Sequence, residues 1–258
     1  MIEKIMKAVK SSNKKRGRNI TIGAVVGMLL SCTAVMSADE YLWIKNDSGE
    51  IKFNTAVTAT RDGSDGNWNE ANPYDENELN GNTYINNTVL SSSANNGKTS
   101  GGNSDVSYGL RLSGDLSGFN FINNSLIIGT NTGDNRCYGI YNDGTIGSIT
   151  NTGLITGTST AASYETHGIN NNDKTIKNIT NIGVIIGGNN NYSGYGIDSW
   201  GTMGNVKNAG LIAGVGGKEA RGIVVGGGYR AESIYNDGVI IAITELYYYA
   251  MEFVVLDI

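Results

Sequence analysis

The sequence is dominated by a unit of about 28 residues that recurs five times. Each copy opens with a residue-Gly-Ile/Leu step, and the glycines of successive steps lie 30, 29, 28 and 26 residues apart: Gly109, Gly139, Gly168, Gly196 and Gly222. A second landmark follows each opening, for example ITNTGLITG from Ile149. Its asparagines step by 28, 30, 27 and 28 residues: Asn123, Asn151, Asn181, Asn208 and Asn236. A period of this length, kept through five copies, predicts a repeat architecture.

The residues inside one period indicate strands rather than helices. They are Ile, Val, Thr, Asn and Gly in short apolar runs broken by Asn-x-Gly, whereas helical repeats need Ala, Leu, Glu and Lys at helical spacing. One strand cannot bury its apolar residues alone, but three strands per coil, each paired in parallel with the equivalent strand of the next coil, can do so. We therefore predict an all-β fold, a right-handed parallel β-helix of about five to six coils.

Stacked coils place equivalent residues above one another, which predicts inward columns of apolar side chains. The first column comes from the opening steps: Leu110, Ile140, Ile169, Ile197 and Ile223. The second comes from the start of the second landmark: Phe121, Ile149, Ile179, Val206 and Ile234. The third comes from its end: Ile127, Ile155, Ile185, Ile212 and Ile240. A shorter fourth column contains Ile146, Ile176 and Met203. Burying each isoleucine contributes about 1.5 to 3 kcal/mol.

The Asn-x-Gly signature predicts a tight turn between the second and third strands of each coil. We expect positive φ at its glycines, because glycine adopts that region without steric cost: Gly153, Gly183, Gly210 and Gly238. We expect the asparagines listed above to hydrogen-bond the local backbone and to stack amide on amide between coils.

Residues 1–38 lie outside the repeats and are typical of a secretory signal with a long basic leader. Seven Lys or Arg residues precede an apolar run, Ile20 to Val35, that is short and glycine-rich for a membrane span. We expect cleavage after Ala38, which leaves Asp39 as the first mature residue. The alternative is a lipobox, LLSC, in which Cys32 is lipidated and becomes the mature N-terminus.

Removal of the leader makes the chain more acidic. Seven of the 19 basic residues and one of the 24 acidic residues lie in residues 1–38, so the net charge moves from −5 to −11. A surface of this charge argues against nucleic acid and anionic membranes as partners. Cys137 is the one cysteine that remains, so no internal disulfide can form; its simplest role is that of a small core residue.

The remaining chain divides into three parts. Residues 39–83 are predicted to be an N-terminal cap, with strands at 41–44 and 51–53 and a long polar loop over 61–82. Residues 84–242 form the repeats, beginning with a degenerate copy at 84–90 and a first long corner loop at 91–105. Residues 243–258 are aromatic and apolar and are expected to form a further strand or a cap over the last coil, whose strand edges otherwise stay unpaired.

The sequence contains no recognisable catalytic constellation, and we expect neither a metal site nor a cofactor. Acidic residues inside the repeats are sparse and scattered, whereas a polysaccharide lyase or hydrolase needs clustered carboxylates. The single histidine, His167, occupies a position filled elsewhere by Tyr108, Tyr138, Tyr195 and Arg221, which predicts a column of flat side chains outside the coil. No Ser, Cys or metal-ligand partner accompanies the imidazole in the sequence. The run GGGYR from Gly226 superficially suggests a phosphate loop but leads into no helical pattern.

The basic leader followed by degenerate YGIxNxGxI…ITNxGxIxG coils resembles the passenger region of bacterial autotransporters of the type V secretion pathway. The resemblance covers nearly the whole chain, and it lies in the general pattern of the leader and the degenerate repeats. It implies a surface-displayed or released β-helix that acts in adhesion or cell aggregation, with host or neighbouring-cell surface molecules and the secretion machinery as partners. One departure is that nothing after Ala242 is long enough for the outer-membrane barrel of about 12 strands that such proteins carry.

Three functions remain open at this point. The first is an adhesin-like passenger at the cell surface or outside the cell, associated with the outer membrane if a barrel is supplied or Cys32 is lipidated. The second is a β-helical polysaccharide lyase or hydrolase. The third is a truncated, nonfunctional remnant. We expect the first and not an enzyme, and the ligand-binding residues are not identifiable from the sequence.

Overall fold

The computed structural model describes residues 40–57, 68–73, 79–94, 106–131, 135–160 and 163–244, all of them strands, turns and connecting segments. In chain order the strands are β1 (Glu40–Asp47), β2 (Glu50–Val57), β3 (Trp68–Pro73), β4 (Leu79–Asn80), β5 (Thr83–Asn86), β6 (Leu90–Ala94), β7 (Ser107–Asn123), β8 (Leu126–Asn131), β9 (Cys137–Asn151), β10 (Leu154–Ser159), β11 (Thr166–Asn171), β12 (Thr175–Asn181), β13 (Val184–Asn189), β14 (Ser193–Ser199), β15 (Thr202–Asn208), β16 (Leu211–Gly216), β17 (Glu219–Val225), β18 (Ala231–Asn236) and β19 (Val239–Thr244).

The repeat unit folds into one coil of a β-solenoid with three faces. Parallel pairing joins β1, β7, β9, β11, β14 and β17 on the first face, and β5, β7, β9, β12, β15 and β18 on the second. Strands β7 and β9 contribute to both faces because each runs through the corner between them. The third face is a separate sheet in the order β19-β16-β13-β10-β8-β6. The predicted all-β solenoid is confirmed, with about five coils where five to six were expected, while its handedness stays a prediction.

The inward columns are confirmed by the strand register. Ile149 lies beside Ile179, and Ile179 lies beside Val206, all at the same height in the second face. The three side chains are at most 1 % exposed. The remaining column members through the coil of β14, β15 and β16 are buried in the same core, and Ile223, Ile234 and Ile240 of the last coil are partly buried against it. The apolar spine that the period predicted is therefore the core of the protein.

The N-terminal strands cover the edge of the first coil. Strand β1 pairs in parallel with β7 along one edge and antiparallel with β2 along the other, and β3 continues this antiparallel sheet. Strand β4 pairs antiparallel with β5 in the second face. Phe53 of β2 stacks on Tyr84 of β5, which in turn stacks on Phe121, so the cap also extends the aromatic end of the core. These strands leave fewer open edges for pairing with another chain.

The structure also corrects several predicted boundaries. The region 61–82, predicted to be one polar loop, contains β3 and β4, so that prediction was wrong in extent. The degenerate copy at 84–90 is confirmed, because Tyr84 lies beside Phe121 and Asn86 beside Asn123. The loop predicted from Ser91 instead begins with strand, since β6 continues to Ala94.

Several sequence predictions fall on other parts of the chain. The leader, with Ala38 and Cys32, lies outside the described residues, as do residues 95–105 and 245–258. Within the described part of the chain, no helix is long and apolar enough to cross a lipid bilayer.

Candidate functional site

A buried ladder of asparagine side chains runs along the corner between the second and third faces. Each Nδ2 donates a hydrogen bond to the Oδ1 of the next coil, at 2.8 to 2.9 Å, in the order Asn86, Asn123, Asn151, Asn181, Asn208 and Asn236. The same Nδ2 groups of Asn151 and Asn181 also donate to backbone carbonyl oxygens two residues ahead and in the following coil. The predicted amide stack is confirmed, and Asn86 extends it by one coil.

The glycines of this corner are required for a reason that differs from the predicted one. Gly153, Gly183, Gly210 and Gly238 do not have positive φ, so the prediction of left-handed backbone was wrong. A Cβ added to any of them would instead fall on the backbone of the preceding coil; at Gly183 it would strike the carbonyl oxygen of Gly153. The turns stack too closely for a side chain at this position.

The glycines of the opening steps allow a second close approach, between the backbone of the first face and side chains of the third face. A Cβ on Gly139 would lie 2.7 Å from the Cγ2 atom of Ile155, and one on Gly196 would lie 2.7 Å from the Cγ2 atom of Ile212. Each glycine therefore leaves room for an isoleucine of the third inward column. This contact explains why the residue-Gly-Ile/Leu step and the end of the second landmark recur together.

A shorter ladder at the corner between the first and second faces was not predicted. Asn142 donates from Nδ2 to Oδ1 of Asn171 at 2.8 Å, and Asn171 donates to Oγ of Ser199 at 2.9 Å. The Oδ1 atom of Asn142 is buried without a hydrogen-bond partner, because Leu112 occupies the equivalent position in the preceding coil. The asparagine that follows Tyr-Gly-Ile-Tyr and His-Gly-Ile-Asn was the signal in the sequence for this ladder.

The predicted column of flat side chains on the outside of the first face is confirmed. The Tyr108 and Tyr138 rings stack with centroids 5.5 Å apart, and His167 lies 5.0 Å from Tyr138 and 5.4 Å from Tyr195. Burial raises the pKa of the Tyr138 hydroxyl well above its usual value. The column is therefore a closely stacked element of the first face, in which burial disfavours the ionised form of the Tyr138 hydroxyl.

His167 has an acidic neighbour, Asp198, that the sequence did not indicate. Its Nδ1 atom lies 3.2 Å from Oδ2 of Asp198, although the angle does not suit a hydrogen bond. The same carboxylate oxygen accepts a hydrogen bond from Nδ2 of Asn170 at 3.3 Å. The imidazole is 4 % exposed and Asp198 is 5 % exposed. An acid–base pair needs access to a substrate, and neither group has it from solvent.

Arg111 provides a positive charge within a cluster on the outside of the first face, which it forms with Trp43, Asp143 and Ser113. Its guanidinium lies 4.2 Å from the ring centroid of Trp43 and 3.2 Å from Oδ2 of Asp143. Trp43 in turn donates from Nε1 to Oγ of Ser113 at 2.7 Å. Arg111 is 5 % exposed, so its charge is compensated inside the cluster by the carboxylate and the ring face.

An ion pair and the free cysteine lie at the start of strands of the first face. Nε of Arg136 donates to Oε2 of Glu165 at 2.9 Å. Burial acts to raise the pKa of Glu165, but the hydrogen bond and charge of Arg136 hold that pKa below its usual value. Burial raises the pKa of the Cys137 thiol, which is fully inaccessible and fits the predicted role of a small core residue. The described residues contain no group of three or more His, Cys, Asp and Glu side chains arranged to hold a metal ion.

The outward positions of the second face form a partly exposed polar column. Its members lie beside one another in register: Asn120, Ser148, Asn178, Asn205 and Ser233. Ser148 donates to Asn120 at 2.7 Å, Asn205 donates to Asn178 at 3.4 Å and Ser233 donates to Asn205 at 2.7 Å. We call this set the polar outer column. It is a regular array of hydroxyl and amide groups facing away from the core.

The fold and these ladders define the chain as a parallel β-solenoid stabilised by stacked side chains. Comparison of the chain with protein-family models, with curated proteins and with solved structures found no match. The assignment to the β-solenoid class therefore depends on the strand register and the ladders alone.

Proposed function

We propose that this protein is an exported β-solenoid of the autotransporter-passenger type and that it acts by binding, in adhesion or cell aggregation. The observation that supports this most directly is the repetition of outward-facing groups once per coil, as in the polar outer column. A rigid array of equivalent groups suits a role in which many weak contacts act together.

The spacing of the array is fixed by the fold. Adjacent parallel strands lie about 4.8 Å apart, and the polar outer column keeps its register through five coils. A partner with its own repeating groups, such as a repetitive molecule on the surface of another cell, can then contact several coils at once. Linking weak contacts in this way can raise overall affinity by about 10² to 10⁴ without any single strong site.

The export part of the proposal is supported by the sequence of the leader and by the locality of the fold. From Asn123 to Asn236, consecutive ladder asparagines are only 27 to 30 residues apart, so each of these coils is completed by a short stretch of chain. A repeat protein of this kind can form coil by coil on its preceding coil, which suits a chain that emerges from a membrane progressively. The absence of any internal disulfide in residues 39–258 agrees with passage in an unfolded state.

The test is to express the full chain in a Gram-negative host and to measure where it goes and what it does. We expect the protein at the surface or in the medium, accessible to added proteinase K or antibody, and faster sedimentation of the cells that carry it. A variant without residues 1–38 is the control and should stay inside. Retention of the wild-type chain in the cytoplasm with residues 1–38 uncleaved would contradict the proposal.

The mature N-terminus separates the two processing routes. N-terminal sequencing should give Asp39 if cleavage follows Ala38. The alternative is a lipid-modified Cys32, which the Cys32→Ser variant would block. A chain that still begins at Met1 would argue against both routes.

A further inference from the structure

Two large aromatic side chains are exposed close together where the first face meets the second. Trp200 is 51 % exposed and follows β14, and Tyr229 is 43 % exposed and follows β17, one coil further on. The preceding coils place Asp143-Gly144 and Asn172-Asp173-Lys174 at this corner. We call Trp200, Tyr229 and the glycine turn between β17 and Tyr229 the aromatic corner.

The turn in the aromatic corner is built from three glycines. Tyr229 N–H donates to the carbonyl oxygen of Gly226 at 3.2 Å, and the two central residues, Gly227 and Gly228, have φ of 68° and 80°. Two consecutive residues in the left-handed region are characteristic of a type I′ turn and strongly favour glycine. Gly226 N–H also donates to the carbonyl oxygen of Ser199 at 2.8 Å, which fixes the turn beside Trp200.

This turn faces the indole ring of Trp200. A Cβ on Gly226 would be 3.4 Å from Cε3 of Trp200, and one on Gly227 would be 3.3 Å from the same atom and 3.3 Å from Cδ2 of Tyr229. The glycines of the turn therefore face both rings across a space that one added methyl group would fill. About half of the Trp200 surface faces solvent, so the indole presents an apolar platform beside the glycine turn.

Polar groups surround the platform. Asp173 and Lys174 are exposed in the coil before it, and Arg230 is exposed directly after Tyr229. Within the described part of the chain, the amide nitrogens of the exposed Gly227 and Gly228 make no hydrogen bond. The corner thus offers an apolar ring surface together with hydrogen-bond donors and acceptors at its rim.

We propose that the aromatic corner binds a pyranose unit of a carbohydrate chain, with the sugar ring packed on Trp200. A pyranose has C–H groups on its ring faces and hydroxyls around its edge, so it can cover the indole while its hydroxyls reach the rim. Two aromatic side chains are far too small for a stable protein interface, which buries about 800 Å² on each partner. The net charge of −5 for the full chain, and of −11 for residues 39–258, disfavours a phosphate-rich polymer.

This inference rests on the proposed function, since it names the class of surface molecule that the solenoid would contact. The test is binding of three defined probes, cellohexaose, chitohexaose and hexagalacturonate, to the full-length chain by calorimetry and tryptophan emission. We expect at least one probe to bind and to change the emission. Trp200→Ala should weaken that binding at least tenfold, and Tyr229→Ala should weaken it several-fold.

The matched control is Tyr235→Ala, which removes a 60 % exposed aromatic from the outside of the second face and should leave probe binding unchanged. Circular dichroism should give the wild-type spectrum for all three variants, because each side chain is largely outside the core. Absence of binding for all three probes, or equal binding by Trp200→Ala and wild type, would overturn the inference.

The outcomes separate this inference from the proposed function. If cells carrying the wild-type chain adhere but the purified chain binds none of the probes, the carbohydrate assignment is wrong and the adhesive function stands. If the purified chain binds a probe through Trp200 but the protein never leaves the cytoplasm, the carbohydrate assignment stands and the proposed export and adhesion are wrong.

Discussion

The asparagine ladder should contribute most to stability at its centre, and Asn181 provides the test. This side chain is fully buried, accepts a hydrogen bond from Asn151 at 2.9 Å and donates to Oδ1 of Asn208 at 2.8 Å. It also donates to the carbonyl oxygen of Leu211 at 3.1 Å. Asn181→Ala removes these contacts together and leaves the buried Oδ1 of Asn208 without its ladder donor.

The expected cost follows from the number of groups affected. A typical hydrogen bond contributes about 1 kcal/mol net, and leaving a buried polar group unsatisfied costs about 1 to 3 kcal/mol. We therefore expect Asn181→Ala to lower the free energy of unfolding by about 3 kcal/mol. With a urea m-value of about 3 kcal/mol/M, the midpoint should fall by about 1 M. Urea unfolding followed by circular dichroism measures both the midpoint and the m-value.

The last member of the ladder is the matched control. Asn236 is only partly buried and, as a ladder member, accepts one bond, from Asn208 at 2.8 Å. Asn236→Ala should lower the free energy of unfolding by about 1 kcal/mol or less. Asn181→Asp keeps the shape but replaces the donor with a carboxylate facing Oδ1 of Asn208, so it should cost at least as much as Asn181→Ala. Equal midpoints for Asn181→Ala and Asn236→Ala, at unchanged m-values, would refute the reasoning.

Three further predictions use the same unfolding assay. Gly183→Ala places a methyl group on the backbone of the preceding coil and should lower the free energy of unfolding by about 1 to 3 kcal/mol or more. The control is Gly118→Ala, where the nearest atom to the added methyl group would be 3.8 Å away and the change should stay within about 0.5 kcal/mol. Similar losses for the two variants would contradict the close-approach explanation. Ile179→Ala should lower the free energy of unfolding by about 2 to 5 kcal/mol, because the Ile179 side chain lies in the core. Ile182 is 59 % exposed, so Ile182→Ala should be nearly neutral. A large loss of stability at this exposed position would count against the assigned inner and outer faces. Glu165→Gln should cost under about 1 kcal/mol at pH 7 and progressively less in acid. The reason is that a folded-state pKa held below the usual value makes the ion pair's contribution complete above the usual pKa of 4.5 and lost as the pH falls through the lowered pKa. A cost that stays constant as the pH is lowered from 7 into the acid range would argue against it.

The period of the sequence was sufficient to predict the inward columns. Ile149, Ile179 and Val206 recur at the repeat spacing, and parallel coils convert that spacing directly into vertical neighbours. The ladder asparagines follow from the same rule. Contacts between residues at equivalent positions are therefore readable from an internal repeat without coordinates.

Contacts between different positions of the unit were not readable in this way. His167 lies in register with Tyr195, yet its acidic neighbour is Asp198, which lies in register with Asn170. That diagonal contact depends on side-chain direction. The close approach of Gly183 to Gly153 likewise depends on how tightly two turns stack, and the residue type alone suggested positive φ instead.

The asparagine ladder also limits how a gene for such a protein can gain or lose length. Asn151 and Asn181 are 30 residues apart, so excising residues 152–181 would join Asn123 to Asn208 through Asn151 with every amide still facing an amide. An excision of half that length would set aliphatic side chains against the amides and bulky residues against the glycine turns. Duplications and losses that survive selection should thus span complete windings. The sequences of neighbouring windings should then be similar, because one arose by duplication of the other.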